Sequence, residues 1–361
     1  MTLSEVSMFR KVFVPFLILS IVFIWMGCAT QDPYPQLTNS NATPEAKALY
    51  KFINEISGKY TLSGHHNYYR RPMMFNEQVK EIAGDYPVIW GSDFGFSFRG
   101  QDPDSVRQAM IDTAKQMYDK GYIITLMWHS CFPTECDSCQ QKTIWLWQPG
   151  VSPETWDSLV TPGTKLNDQW IVQVDHVAGY LKQLRDANIP VLWRPYHEMN
   201  GTWFWWCNKQ GEDGFPKLWR MMYDRFVNHH HLNNLIWVWN TNAPRDRLND
   251  EAYAYDLFYP GGDYVDILAA DVYHYDYKQS HHDDLKTLAN GKPICLGEVG
   301  QLPAPEILDQ QPDWTWFMEW SGFLLRANKP DSIKMLFDSP RVLTLGEVKR
   351  NSKGEYSVVT K

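Results

Sequence analysis

Eight short apolar runs recur along the chain, each ending in a polar or aromatic residue and most followed by a stretch of helical periodicity. The runs are Tyr60–His65, Pro87–Asp93, Tyr122–His129, Val191–Glu198, Leu235–Asn240, Asp266–Tyr273, Pro293–Glu298 and Thr315–Trp320. They are continuously apolar rather than alternating, as parallel strands covered on both faces should be. Helical patterns lie between them. Ser105–Lys120 follows a capping Asp104 and stops at Gly121, Gln169–Ala187 precedes the fourth run, and Lys217–His230 precedes the fifth. The interval between the third and fourth runs is long, which marks an insertion after strand three. Repeated strand–helix units of this number predict a (β/α)8 barrel, an α/β fold that a chain of 361 residues accommodates as a single catalytic domain over 44–361. The alternative is a doubly wound open sheet. It would carry a glycine-rich turn after strand one, where this chain has Ser63-Gly64-His65-His66.

In a barrel the C-terminal strand ends converge on one face, and chemistry gathers there. The ends here are His65, Asp93, His129, His197-Glu198, Asn240, Asp271 with Tyr273, Glu298 and Trp320. This set of carboxylates, imidazoles, amide and aromatics describes a polar site with stacking surfaces. Glycoside cleavage needs a proton donor and a second carboxylate; in retaining enzymes the second is a nucleophile about 5–5.5 Å from the first. Strands four and seven face each other across a barrel mouth, and Glu198 and Glu298 end them. Glu198 lies between Arg194, His197 and the aromatics Trp203, Phe204, Trp205 and Trp206, a setting that raises a carboxyl pKa and suits an acid. Glu298 lies between Gly297 and Gly300, which are expected to let the backbone approach a bulky ligand. Tyr273 is a candidate donor to it. The competing interpretation makes these two acids ordinary barrel-mouth salt-bridge residues.

Hydrophobic residues are 44% of the chain and charged residues 21%, ordinary globular values that exclude disorder. The aromatic share is 15%, with 17 Trp. Stacking against sugar rings is expected to use a good part of these, and the core roughly half. A net charge of −8, with no basic block after residue 11, excludes nucleic acid as a partner. No cofactor and no resident metal are expected. His229-His230-His231 reads as a helix end and His281-His282-Asp283-Asp284 as a polar loop. A barrel metallohydrolase would want His-x-His after strand one, where His65 and His66 are adjacent. Cys131, Cys136 and Cys139 have an iron–sulfur-like spacing, but an oxidising compartment favours a disulfide within the insertion, or one joining it to Cys207. Cys295, inside strand seven, reads as a buried free thiol.

The N-terminus reads as a targeting segment. Arg10 and Lys11 precede the apolar stretch Val12 to Met26, and Gly27-Cys28-Ala29 follows. This pattern resembles a bacterial lipoprotein signal over 1–28, cleaved before Cys28, which is then acylated. An uncleaved anchor is the alternative, and the stretch is short against the ~20 residues of a spanning helix. Residues 29–43, rich in Gln, Asn, Pro and Ser, read as a flexible tether. The expected location is the cell envelope of a Gram-negative bacterium, on the periplasmic side or the cell surface, with the membrane met only through the lipid and the protein a monomer.

The stretch Arg194-Pro-Tyr-His-Glu-Met-Asn-Gly-Thr-Trp-Phe-Trp-Trp206 and the later Gly297-Glu-Val-Gly300 resemble family 26 glycoside hydrolases, chiefly β-mannanases. The resemblance covers roughly residues 44 to 350. It implies Glu198 as acid/base, Glu298 as nucleophile, His197 beside the acid, and Arg194 supporting the nucleophile. By the same resemblance His129 touches the sugar at the cleavage point, Asp271 and Tyr273 orient the site, Trp203 lies toward the leaving group, and Trp320 is the sugar platform. Asp93 matches the strand-two segment. The insertion is a departure, and either Trp145 or Trp147 takes the place of an aromatic that the family often carries there. The implied reaction is retaining hydrolysis of β-1,4-mannosidic linkages in mannan, glucomannan or galactomannan. The alternatives are the same mechanism on β-1,3-xylan or mixed-linkage β-glucan, and a non-catalytic glycan-binding lipoprotein.

Overall fold

Each apolar run forms a buried parallel strand in the computed structural model, which describes residues 33–68, 70–94, 104–134 and 151–359. The strands are β1 Thr61–His66, β2 Ile89–Asp93, β3 Ile123–Trp128, β4 Val191–Pro195, β5 Leu235–Asn242, β6 Ile267–Val272, β7 Ile294–Val299 and β8 Trp314–Glu319. Neighbours pair in chain order, and β1 pairs with both β8 and β2, so the sheet closes into an eight-stranded barrel. A short β9, Val342–Leu343, pairs with the start of β1. The helices α1 Pro44–Ile56, α2 Met74–Ala83, α3 Asp104–Asp119, α4 Pro153–Leu159, α5 Lys165–Arg185, α6 Phe215–Asp224, α7 Gln279–Ala289, α8 Pro305–Gln310, α9 Phe323–Ala327 and α10 Pro330–Phe337 complete the (β/α)8 pattern. The expected Lys217–His230 helix is α6 followed by a π-helical turn, Arg225–His229.

Two apolar layers sandwich the strands. Leu62, Ile89, Ile123, Leu192, Ile236, Ile267, Cys295 and Trp316 fill the barrel interior, joined by Leu49, Phe52, Ile53 and Ile56 of α1, which plugs the end opposite the strand C-termini. Trp90, Trp193, Trp237, Trp239 and Phe317 face outward against the helices. Both faces of each strand are therefore dry, which is why the runs are apolar without alternation.

Several expectations change. All described tryptophans except Trp320 are buried, so the tryptophan content reflects core far more than ligand stacking. His281 and His282 lie buried in α7 rather than in a loop, because one face of that helix packs on the barrel. Residues 37–43, expected as tether, are attached to the barrel. Leu37 and Ala42 are buried, and the Thr38 amide and hydroxyl both donate to Asp266 Oδ1, at 2.7 and 2.8 Å. Asp266 is fully buried just before β6, so its carboxyl oxygens need these donors. Cys131 is disulfide-bonded, while Cys207 and Cys295 are free and buried, which removes the pairing with Cys207. Cys28, the leader, Cys136, Cys139, Trp145 and Trp147 lie outside the described residues. Among the described residues no helix is long and apolar enough to cross a membrane.

Candidate active site

The first acid sits on a constrained turn. β4 stops at Pro195, and Tyr196 and Glu198 then take left-handed backbone conformations, φ 49° and 55°. Left-handed backbone costs a side-chain-bearing residue about 1–3 kcal/mol and persists only where surroundings over-determine it. Here they do. The Glu198 amide donates to Asn240 O (2.7 Å), and the Trp206 indole to His197 O (2.7 Å). Cys207 Sγ donates to Glu198 O at 3.1 Å. The result turns the Glu198 carboxyl into the barrel mouth, where it is 7% exposed. Trp203 Nε1 donates to its Oε2 at 2.6 Å and Asn242 Nδ2 to its Oε1. Trp203 reaches it by crossing Gly201, where a Cβ would come 2.4 Å from the indole ring.

The second acid has a different cradle. Arg194 Nη2 donates to Glu298 Oε1 at 3.0 Å and Tyr273 OH to Oε2 at 2.8 Å. Arg194 is itself fixed by Asn240 Oδ1 at 2.6 Å, and Asn240 Nδ2 donates to Asp271 Oδ1 at 2.7 Å. The glycine before Glu298 serves this cradle. A Cβ at Gly297 would come 2.0 Å from Asn240 Oδ1 and 2.7 Å from Asp271 Oδ1; at Gly300 it would press on Tyr273 and Phe323. Both glycines thus make room for protein groups, a correction to the expected approach of ligand. β6 and β7 slip register between Ala270 and Asp271, which brings Asp271 opposite Glu298.

The remaining expected residues form the walls of a cleft of about 570 Å³ lined by His129, His197, Glu198, Trp203, Tyr273, Glu298 and Trp320, within the usual range for ligand pockets. Asp93 accepts from the His129 amide (3.2 Å) and pairs with its Nδ1, which gives the strand-two acid a place. His197 follows Glu298 rather than the acid it precedes in sequence, with Nε2 3.8 Å from Glu298 Oε1. Burial first, then His129 and Arg194, hold its imidazole well below the usual range, so it is neutral. Trp320 is partly exposed and lies 4.3 Å from the His66 ring and 6.0 Å from His129, centroid to centroid. Asn242 and Arg245 were missed. The fifth apolar run ends at Asn240, but Asn242, two residues on, shares its face, and that period-two spacing is the signal for it.

The carboxylates of Glu198, Asp271 and Glu298 each place an oxygen within 4.8 Å of the others. Such a trio has the separation of a cation site, but Arg194 already stands among them, 3.0 Å from Glu298 and 3.9 Å from Asp271. Burial raises the pKa of both glutamates. The nearby Glu298 charge raises Glu198 further and Arg245, Asn242 and Trp203 lower it, while Arg194 and the Tyr273 hydroxyl lower Glu298, and each glutamate ends pushed up to about 7. The guanidinium hydrogen-bonded to Glu298 at 3.0 Å favours the charge there, which leaves the proton to Glu198. Asp271, raised well above the carboxylate range by burial and by the two glutamates, also keeps a proton. Burial and the neighbouring acids hold the Tyr273 phenol protonated, as a donor must be. The arrangement is one buried acid, one stabilised carboxylate and an aromatic cleft between them.

The described features have relatives. The Glycosyl hydrolase family 26 model matches residues 38–347. A mannan endo-1,4-beta-mannosidase of Thermothelomyces thermophilus is 32% identical over 86% of this chain and 63% of its own length. One of Bacillus subtilis is 26% identical over 91% of this chain and 95% of its own. This chain spans only 63% and 50% of the curated relatives from Thermothelomyces thermophilus and Piromyces sp. Among solved structures, GH26A from Muricauda sp. MAR_2010_75 superposes with a TM-score of 0.81 at 49% identity, over 86% of this chain and 99% of that one. A β-mannanase from a symbiotic protist of the termite Reticulitermes speratus, complexed with gluco-manno-oligosaccharide, superposes at 0.74 with 27% identity, over 86% and 96%. With the family pattern matched over most of the barrel, this chain belongs to glycosyl hydrolase family 26.

Proposed function

We propose that this protein hydrolyses β-1,4-mannosidic linkages in mannan, glucomannan or galactomannan with retention of configuration. The observation that carries the reading is the approach of Glu198 and Glu298 oxygens to within 4.8 Å, on opposite sides of one cleft. That separation suits direct attack and leaves no room for the intervening water of an inverting enzyme. Glu298 attacks the anomeric carbon as the glycosidic C–O bond breaks, and Glu198 delivers its proton to the leaving oxygen. Water then attacks the glycosyl–Glu298 ester, gives its proton to Glu198, and frees the carboxylate. Arg194 and Tyr273 hold Glu298 ionised and aimed. Trp320 lies where a sugar ring stacks, with His129 and His197 beside it. Mannan as substrate is supported by the activity of the relatives, mannan endo-1,4-beta-mannosidases of Thermothelomyces thermophilus and Bacillus subtilis among them.

The test is product analysis on linear mannan, galactomannan, β-1,3-xylan and mixed-linkage β-glucan. Release of manno-oligosaccharides from the mannans alone is expected. Equal or greater cleavage of xylan or β-glucan would overturn the substrate, and binding without new reducing ends would overturn the enzyme. The leader supports a further part of the reading: Cys28 carries lipid after cleavage and holds the barrel in the cell envelope. Metabolic labelling with a palmitate analogue is expected to mark the full chain and not a Cys28→Ala variant.

A further inference from the structure

Two cations divide the two acids. Arg194 serves Glu298, as described, and the β5 loop brings a second guanidinium to Glu198. Arg245 begins a hairpin turn, exchanging backbone hydrogen bonds with Ala252 in both directions at 2.9 Å. Asp250, inside that turn, receives its Nε at 3.0 Å and its Nη2 at 2.5 Å, so the fork is fixed in a bidentate pair. From there Arg245 reaches both residues that donate to Glu198. Its Nη1 donates to Asn242 Oδ1, which fixes the amide so that Nδ2 faces Glu198 Oε1. Its guanidinium lies 5.3 Å from the centroid of the Trp203 ring, whose Nε1 holds Glu198 Oε2.

We infer that Arg245, braced by Asp250, is a positioning residue for proton delivery: it locks Asn242 and Trp203 in the orientations that aim the Glu198 carboxyl at the leaving oxygen. This rests on the acid/base role given to Glu198 above. The groups facing Glu198 are Glu298 on β7, Asp271 and Tyr273 at the end of β6, Cys207 behind its own turn, and Arg245. Arg245 is the neighbour whose charge favours the ionised carboxylate. Its position therefore also sets where Glu198 gives up its proton.

The test separates proton delivery from everything else through the leaving group. Phenyl β-mannobioside needs a proton on departure, and dinitrophenyl β-mannobioside does not; neither places a sugar on the leaving side. In Arg245→Met, kcat/KM for the phenyl substrate is expected to fall about 10- to 100-fold, a share of the factor that general acid catalysis supplies, with the dinitrophenyl substrate within about threefold. The alkaline limb of kcat/KM moves to higher pH, since the cation no longer favours the carboxylate. Asp250→Asn reproduces the leaving-group pattern more weakly, and thermal unfolding of each variant confirms that it is folded. Equal losses on both substrates, or none on either, overturn the inference. Glu198→Ala is the control for the reading beneath it: if that variant loses both substrates equally, the acid/base assignment fails, whatever Arg245 does.

Discussion

Arg194 is the most informative residue to remove. It is 1% exposed and lies in a cluster of three carboxylates, 3.0 Å from Glu298 and 3.9 Å from Asp271, with Nε on Asn240. Arg194→Met keeps the length and apolar stem and deletes the charge and fork. Breaking a buried pair from one side costs about 3–5 kcal/mol, because the remaining charge is left without its partner. For a folded unit of this length, at about 2.1 cal/mol/K per residue, that lowers Tm by about 4–7 °C. The activity effect has a sign. Arg194 is the largest influence holding Glu298 down. Without it Glu298 keeps its proton to higher pH, so the acid limb of kcat/KM moves up and activity at neutral pH falls by orders of magnitude. The assay is kcat/KM against pH on manno-oligosaccharide, beside thermal unfolding at the same pH values. An unmoved acid limb, with Tm lowered by under about 2 °C, would rule out an electrostatic role for Arg194 at Glu298.

Other perturbations have equally definite outcomes. Gly297→Ala drives a methyl into Asn240 and Asp271, so unfolding midpoints should fall by an overpacking cost of about 1–3 kcal/mol or more, with activity lost. Asp93→Asn removes the carboxylate that pairs with His129 Nδ1; a lost charge-assisted bond of about 1.5–3 kcal/mol predicts a kcat/KM roughly 10- to 100-fold lower. A chain begun at residue 44 lacks both Thr38 donors to Asp266 and should have a lower Tm than one begun at residue 34, read by calorimetry. Glu198 and Glu298 bind protons more tightly folded than unfolded, so their contribution is full below the ordinary carboxylate range and is lost as pH rises toward neutrality. Glu198→Gln should therefore flatten that decline and raise the neutral-pH Tm, as measured by melts across pH.

What was legible in the sequence follows from how local each signal is. The strands were legible because burial on both faces leaves an unbroken apolar run, and their polar ends could be read from where each run stops. Glu198 and Glu298 stood out by the same route. The support around them was not legible, since it comes from distant chain. Asp266 anchors Thr38 across 228 residues, and Asn242 reaches Glu198 from another strand. Gly297 gave a true signal with the wrong cause, because a sequence does not say whether the missing Cβ makes room for ligand or for Asn240. The tryptophans misled in the opposite sense: an aromatic has the same letter in the helix–sheet layer as on a binding platform, and only Trp320 among those described is left partly exposed. The paired histidines of α7 looked like a loop because their polarity hid a helix with one buried face.

Direct attack of Glu298 on carbon, with Glu198 handling the proton, fixes which anomer is released first. Proton NMR of the first product formed from an aryl β-mannobioside, recorded before mutarotation, tests it most directly. Double displacement predicts the β-anomer as the initial product. An α-anomer appearing first would mean that water attacks in a single displacement, with Glu298 as its base and not as the nucleophile.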